Sequence, residues 1–184
     1  MLLQAGTSQL LLIDIQDKLL PAMAEPEAVR QNAIKLAKAA RHFHCPIVVS
    51  EQYPKGIGHT HSAVAAAMGD GAQIFEKLEF SAWRDEAIAS ELTKNRIFGR
   101  AQAVICGIES HVCVLQTALE LVRNGFETFC VEDAMSSRNL SSKTAAIARL
   151  RHEGVTIVTT EMVIFEWLGR AGTADFKALL PLIK

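Results

Sequence analysis

Residues 10–14 read Leu10-Leu11-Leu12-Ile13-Asp14, four apolar side chains in succession and then a carboxylate. A strand with one wet face alternates apolar and polar residues, so an unbroken apolar run marks a strand covered on both faces, as in a parallel sheet between helices. Similar runs recur at Ile47-Val48-Val49, Gln73-Ile74-Phe75, Ala103-Val104-Ile105-Cys106, Thr128-Phe129-Cys130-Val131 and Val155-Thr156-Ile157-Val158, which makes six strands. Between them, stretches 27–43, 83–94, 111–124, 140–153 and 161–168 carry apolar residues three and four apart, the spacing of amphipathic helices. The helix through Val114, Leu115, Ala118, Leu119 and Val122 is expected to stop at Gly125. This alternation predicts a Rossmann-like three-layer α/β/α sandwich with a six-stranded parallel sheet. The longest irregular stretch, 51–61, holds Pro54, Gly56 and Gly58 and is the natural candidate for a functional loop.

The composition narrows the classes. A length of 184 residues suits one domain spanning 1–184. With 19 Lys and Arg against 20 Asp and Glu, the net charge of −1 offers no field for a phosphate backbone or an anionic membrane, so neither is expected as a partner. The longest apolar run is far short of a bilayer span, and the N-terminus lacks the pattern of a signal peptide. Cys45, Cys106, Cys113 and Cys130 are widely spaced and form no CxxC pair, which predicts free thiols in a reducing cytoplasm.

Ligands of such sheets gather beyond the carboxyl ends of the strands. Asp14 sits there after the first strand, either as a turn or capping residue or as a carboxylate aimed into the crevice. Lys77 leaves the third strand, where a solvated edge lysine is the plainer alternative. Cys113 lies in Gly107-Ile108-Glu109-Ser110-His111-Val112-Cys113, in the first turn of the helix after the fourth strand, with Ser110 as its expected N-cap. The positive end of a helix and a nearby lysine favour a thiolate, and free backbone N–H groups can hold an oxyanion, although cysteine is also common as plain core filler. An aspartate to move the proton, a thiolate to attack a carbonyl carbon and a lysine to hold the charges form one coherent set.

Three segments carry a family likeness: Leu-Leu-Ile-Asp-Ile-Gln at 11–16, Glu-Lys-Leu-Glu-Phe-Ser-Ala-Trp at 76–83 and Gly-Ile-Glu-Ser-His-Val-Cys-Val at 107–114. In this order and spacing the chain resembles the isochorismatase-like cysteine hydrolases over nearly its whole length. The resemblance implies a catalytic triad of Asp14, Lys77 and Cys113 and a cis peptide between Ile108 and Glu109. It also implies an oxyanion site made by the Glu109 and Cys113 amides. Nicotinamidases of this superfamily bind a metal through an Asp-x-His pair after the second strand. This chain has Glu51-Gln52-Tyr53-Pro54 there, so no metal and no other cofactor is expected, although Glu51, His59 and His61 are close in sequence. Glu-Gln-Tyr-Pro-Lys-Gly at 51–56 resembles the isochorismatase-domain-containing subgroup, and Gln16, Tyr53, Phe80 and Trp83 are the candidate pocket residues.

The expected function is hydrolysis of a small amide or related C–N bond through an acyl intermediate on Cys113. The alternative is a binding or scaffolding protein of the same fold without significant turnover. Gly56-Ile57-Gly58 lacks the third glycine of a dinucleotide fingerprint. A homo-oligomer, dimer or larger, is expected from the family and from the apolar stretch Phe165-Glu166-Trp167-Leu168.

Overall fold

The computed structural model describes residues 1–183. Its strands are β1 (Ser8–Ile13), β2 (Ile47–Gln52), β3 (Gln73–Lys77), β4 (Gln102–Ile108), β5 (Glu127–Ser136) and β6 (Thr156–Val158). They form one parallel sheet in the order β3-β2-β1-β4-β5-β6. Its helices are α1 (Pro26–His42), α2 (Pro54–Ile57), α3 (Ser62–Met68), α4 (Glu86–Ile97), α5 (Leu115–Arg123), α6 (Leu140–His152), α7 (Thr160–Leu168) and α8 (Ala174–Ile183).

Every residue of β1 is buried, because successive side chains enter two different cores. Leu10 and Leu12 join Val49, Val104 and Phe129 against Val29, Ala33 and Leu36 of α1, Val64 of α3 and Ile164 of α7. Leu11 and Ile13 turn the other way, with Val48, Ala103 and Ile105, against Ile88 and Leu92 of α4, Ala118 of α5 and Leu150 of α6. The result is a three-layer α/β/α sandwich. Each fully buried leucine or isoleucine contributes about 1.5–3 kcal/mol of transfer free energy. Among the described residues no helix is long and apolar enough to cross a membrane.

The chain winds from β1 outward through β2 to β3, then returns to place β4 on the other side of β1. That reversal leaves a crevice at the carboxyl ends of β1 and β4.

Several elements depart from the sequence reading. Stretch 83–94 is two elements, a 3-10 turn at Ala82–Arg84 and then α4, whose N-cap Asp85 accepts from the Ala87 and Ile88 amides. Stretch 111–124 is a π-helical turn at Ser110–Val114 followed by α5, which gives way to Gly125 at φ +77°. Ser110 lies inside that turn and is not its N-cap. Glu109 precedes it, and Ser110 Oγ is buried without a hydrogen-bond partner. Loop 51–61 is shorter than expected, since β2 runs to Gln52, α2 fills part of the gap and Gln16 bridges Thr60. β5 continues to Ser136 past Glu132 and Asp133, where its register with β4 is interrupted. α3 and α8 lie outside the helical stretches expected from the sequence; α8 contains Pro181. Trp167 is not oligomer surface: it is buried, and its indole donates to Ser8 Oγ at 3.0 Å, which leaves Phe165 as the exposed member of that stretch.

Gly107 on β4 pairs with Ile13 on β1 and has φ +127°. A Cβ there would stand 2.1 Å from the Ile13 carbonyl oxygen, so only glycine lets β4 approach β1 beside Asp14. Gly107→Ala is expected to destabilise the fold by about 3 kcal/mol or more, read as a lowered midpoint in urea unfolding.

Candidate active site

Asp14 leaves β1 in a left-handed conformation, φ +53°, which aspartate tolerates better than most residues. This turn carries its side chain into the crevice, where it is fully buried. Oδ1 accepts from Ser50 Oγ at 2.7 Å and Oδ2 accepts from Lys77 Nζ at 2.8 Å. The Cys113 thiol lies close enough to this carboxylate for each to shift the other's affinity for a proton. The structure therefore brings Asp14, Lys77 and Cys113 together.

Lys77 ends β3, two strands from β1, and two strand spacings amount to about 10 Å. Its long stem crosses β2, and the ammonium is completely buried. Besides Asp14 it donates to Gln52 Oε1 at 2.7 Å and, at 3.1 and 3.3 Å, to the adjacent carbonyls of Glu79 and Phe80. An ammonium has three N–H donors, and four acceptors surround this one. The two longer contacts fit a single shared proton, so no N–H is left over. Lys77 is a fixed positive charge rather than a free donor.

Cys113 sits in the π turn and exposes 5% of its surface. Its carbonyl accepts from Thr117 Oγ1, which in turn accepts from the Ala82 amide, and this ties the turn to the segment after β3. The peptide between Ile108 and Glu109 is cis, and the Glu109 amide faces the sulfur. The Glu109 carboxylate points away, accepting from the Arg138 amide at 3.0 Å and Arg138 Nε at 3.1 Å.

Burial, and then the negative charge of Asp14, push the Cys113 thiol up to about 12, against the opposing pull of Lys77 and the Glu109 amide. The expected thiolate is thus not the resting state; desolvation outweighs the lysine and the helix end. Burial also raises Asp14 above the usual carboxylate range, against its hydrogen bonds and Lys77. Cys45 is raised to about 11, and Cys106 and Cys130 are raised further, by burial, as inert core thiols are; all four cysteines are free.

The pocket residues fare differently. Gln16 has no group left for a ligand: Nε2 donates to the carbonyls of Gln52 and Gly58, and Oε1 accepts from the Gln52 amide at 2.8 Å. Trp83 packs edge-on against Phe126, with ring centroids 5.5 Å apart, and does not line the cavity beside Lys77. Phe80 contributes its carbonyl to Lys77 while its side chain is exposed. Tyr53 does line the cavity, of about 470 Å³, together with Pro54, Glu76, Leu78 and Asp85. Its ring lies over Gly56, where any Cβ would come within 2.5 Å of it. This cavity reaches Lys77 but not the sulfur. The Glu51 carboxylate is taken by the amide and hydroxyl of Thr60 and by His59, and His61 accepts from the Ala63 amide at the start of α3.

The roles of Ser50, Gln52, Gly107 and Arg138 are not visible in the sequence, where Gln52 and Gly107 stand only as members of quoted segments. Only the parallel register of β2 with its neighbours, which puts Ser50 beside Ile13 and Gln52 beside Lys77, brings the first two into view.

Fold and site together define a parallel α/β sandwich with a buried aspartate, lysine and cysteine at the strand ends. The chain belongs to the isochorismatase family, whose domain model matches residues 8–162, and it has that family's hydrolase fold. It is 34% identical over 180 residues to Isochorismatase family protein 1B of Dictyostelium discoideum, covering 97% of this chain and 86% of that protein. Isochorismatase domain-containing protein 2 of Danio rerio is 35% identical over 176 residues, covering 96% and 86%. The solved structure of the MAR1 ribonuclease from Caenorhabditis elegans superposes with a TM-score of 0.92 at 30% identity, covering 100% of this chain and 92% of that one.

Asp14 raises the Cys113 pKa and Lys77 lowers it. Asp14→Asn removes the first influence and keeps the second, so the thiol pKa falls and more thiolate is present at pH 8. Iodoacetamide should then label Cys113 about three-fold faster or more than in the unaltered protein, since greater ionisation outweighs the softer drop in nucleophilicity. Peptide mass spectrometry over time measures this; equal or slower labelling would contradict the assigned electrostatics.

Proposed function

We propose that this protein hydrolyses a small amide or related C–N bond by cysteine nucleophilic catalysis. One observation carries the reading: the buried Asp14 carboxylate meets the Lys77 ammonium, at 2.8 Å, and the Cys113 thiol in the same crevice. A buried acid paired with a nucleophile and fixed by a cation is an arrangement suited to proton transfer.

In the proposed cycle the substrate carbonyl enters beside the Glu109 and Cys113 amides. As sulfur attacks the carbonyl carbon, the thiol proton passes to Asp14, and the resulting oxyanion is held by the two backbone N–H groups. Asp14 returns the proton to the departing nitrogen, which leaves as an amine and yields a thioester on Cys113. Water then attacks the thioester with Asp14 as base, the acid departs and the sulfur regains its proton. The raised affinity of Asp14 for protons suits both directions of transfer. Thiolate is needed only while substrate is present, which agrees with a thiol near 12 in the free protein.

The same raised thiol supports a second reading, a protein of this fold that binds without turnover. The ribonuclease name of the nematode relative suggests RNA as a substrate. A sulfur exposed by 5% and a net charge of −1 favour a compact, weakly charged electrophile instead. A screen of small amides, ureides and carbamoyl compounds, with an RNA oligonucleotide alongside, separates these readings. Turnover of at least one small compound is expected, with a mass adduct at Cys113 and a loss of about 10³-fold or more in Cys113→Ala. Full turnover in Cys113→Ala would reject the mechanism, and no turnover of any compound would favour the binding protein.

A homo-oligomer belongs to the same proposal. Tyr53, Ile74, Leu78 and Phe80, each at least half exposed, leave apolar surface around β3 and the cleft. Light scattering should give a mass at least twice 20.1 kDa, and a mass near that of one chain would contradict it.

A further inference from the structure

We propose that Gln52 is a positioning residue that holds the Lys77 ammonium against Asp14, so that the lysine charge is delivered to the Asp14–Cys113 pair. This inference rests on the hydrolase reading for its consequence in turnover, but not for its electrostatic consequence.

Three observations converge. First, the Gln52 amide can sit only one way round. Its Oε1 accepts from Lys77 Nζ at 2.7 Å and its Nε2 donates to the Leu78 carbonyl at 2.8 Å. An ammonium only donates and a carbonyl only accepts, so a flipped amide would lose both bonds. Second, the backbone from which this amide projects is itself clamped. The Gln52 N–H donates to Gln16 Oε1 at 2.8 Å, and the Gln52 carbonyl accepts from Gln16 Nε2 at 3.0 Å. Gln16 lies two residues beyond Asp14, so one chain of hydrogen bonds links the turn after β1, the end of β2 and the end of β3. Third, Gln52 holds the end of β3 at two points, the Lys77 ammonium and the Leu78 carbonyl. The shorter contacts of the Lys77 ammonium, with Asp14 and Gln52, mark its two strong acceptors; the Glu79 and Phe80 carbonyls, at 3.1 and 3.3 Å, share what remains.

Without the Gln52 oxygen the three N–H groups keep only Asp14 and the longer contacts to the Glu79 and Phe80 carbonyls, and the ammonium is free to tilt toward those carbonyls and away from Asp14. A displacement of about 1 Å in catalytic geometry can cost about 100-fold in rate. The charged groups facing the sulfur are Asp14 from β1 and Lys77 from β3. The Glu109 carboxylate is turned to Arg138, and the His111 imidazole is held by Ser137. Gln52 therefore acts on the sulfur only through Lys77.

Two variants of the full chain test this, Gln52→Met, which keeps length and removes the acceptor, and Gln52→Glu, which keeps an acceptor and adds a charge. The first readout needs no substrate: the rate of Cys113 labelling by iodoacetamide between pH 7 and 10, located by peptide mass spectrometry. A loosened Lys77 leaves the thiol harder to ionise, so Gln52→Met should label about three-fold more slowly at each pH. Gln52→Glu should be slower still, because a second carboxylate shares the charge of the lysine. The second readout, on any amide found to turn over, is a kcat lower by about 10-fold to 100-fold in Gln52→Met with KM within about two-fold. A labelling profile that superimposes on that of the unaltered protein in either folded variant would overturn the proposal. Should Gln52→Met not fold, Gln52→Glu carries the test alone. Absence of any turnover in the unaltered protein would fell the hydrolase reading while the labelling profiles still decide the role of Gln52.

Discussion

The ion pair between Lys77 and Asp14 is the constraint around which the rest of the site is arranged. Both side chains are wholly withdrawn from water, and neither is tolerable there alone, since breaking a buried pair costs about 3–5 kcal/mol. The pair is stable because the remaining valences are filled: Ser50 occupies the second aspartate oxygen, and Gln52 with two carbonyls occupies the rest of the ammonium. Three adjacent strands, β1, β2 and β3, must keep register for this to hold. Ser50 stands beside Ile13 and Gln52 beside Lys77, so a slip of one residue in β2 would remove both supports and turn its apolar residues to the wrong core.

The same pair sets the resting chemistry of the sulfur. Lys77 alone would draw the Cys113 thiol toward ionisation, but its charge is already matched by Asp14, and burial dominates what is left. In the proposed cycle the raised proton affinity of Asp14 brings it nearer to that of the neutral thiol beside it, which eases transfer between the two. A free thiolate would be open to oxidation, whereas a thiol that ionises only against an electrophile is protected. Inertness in the free protein and reactivity with substrate are thus compatible properties of one arrangement.

Much of the architecture was legible because burial on both faces of a parallel sheet leaves a simple trace. The unbroken apolar run 10–13 identified β1, and Asp14, Lys77 and Cys113 were visible as polar residues placed where such strands end. What escaped was decided by partners distant in sequence. Gln16 looked like a pocket residue by proximity to Asp14, yet its amide is consumed by Gln52 and Gly58. The sequence around Trp83 and Trp167 points to pocket and surface, yet each has a partner far away in the chain, Phe126 for Trp83 and Ser8 for Trp167. The thiol was misjudged for a different reason: helix ends and lysines are readable locally, whereas desolvation is a property of the finished fold.

Gly107 shows how far the site depends on the sheet. Its open φ and missing side chain permit β4 to lie against the Ile13 carbonyl, and the chain then crosses Glu109 into the π turn that presents Cys113. A conventional α-helical start would wind its first turn more tightly and rotate each side chain relative to the crevice. The wider turn, pinned by Thr117 at the Cys113 carbonyl and by Arg138 at Glu109, aims the sulfur toward Asp14 and the Glu109 amide toward the sulfur. The crevice created by strand order is therefore furnished by two local departures from regular backbone, the left-handed Asp14 and the π turn, on either side of the close strand contact that Gly107 allows.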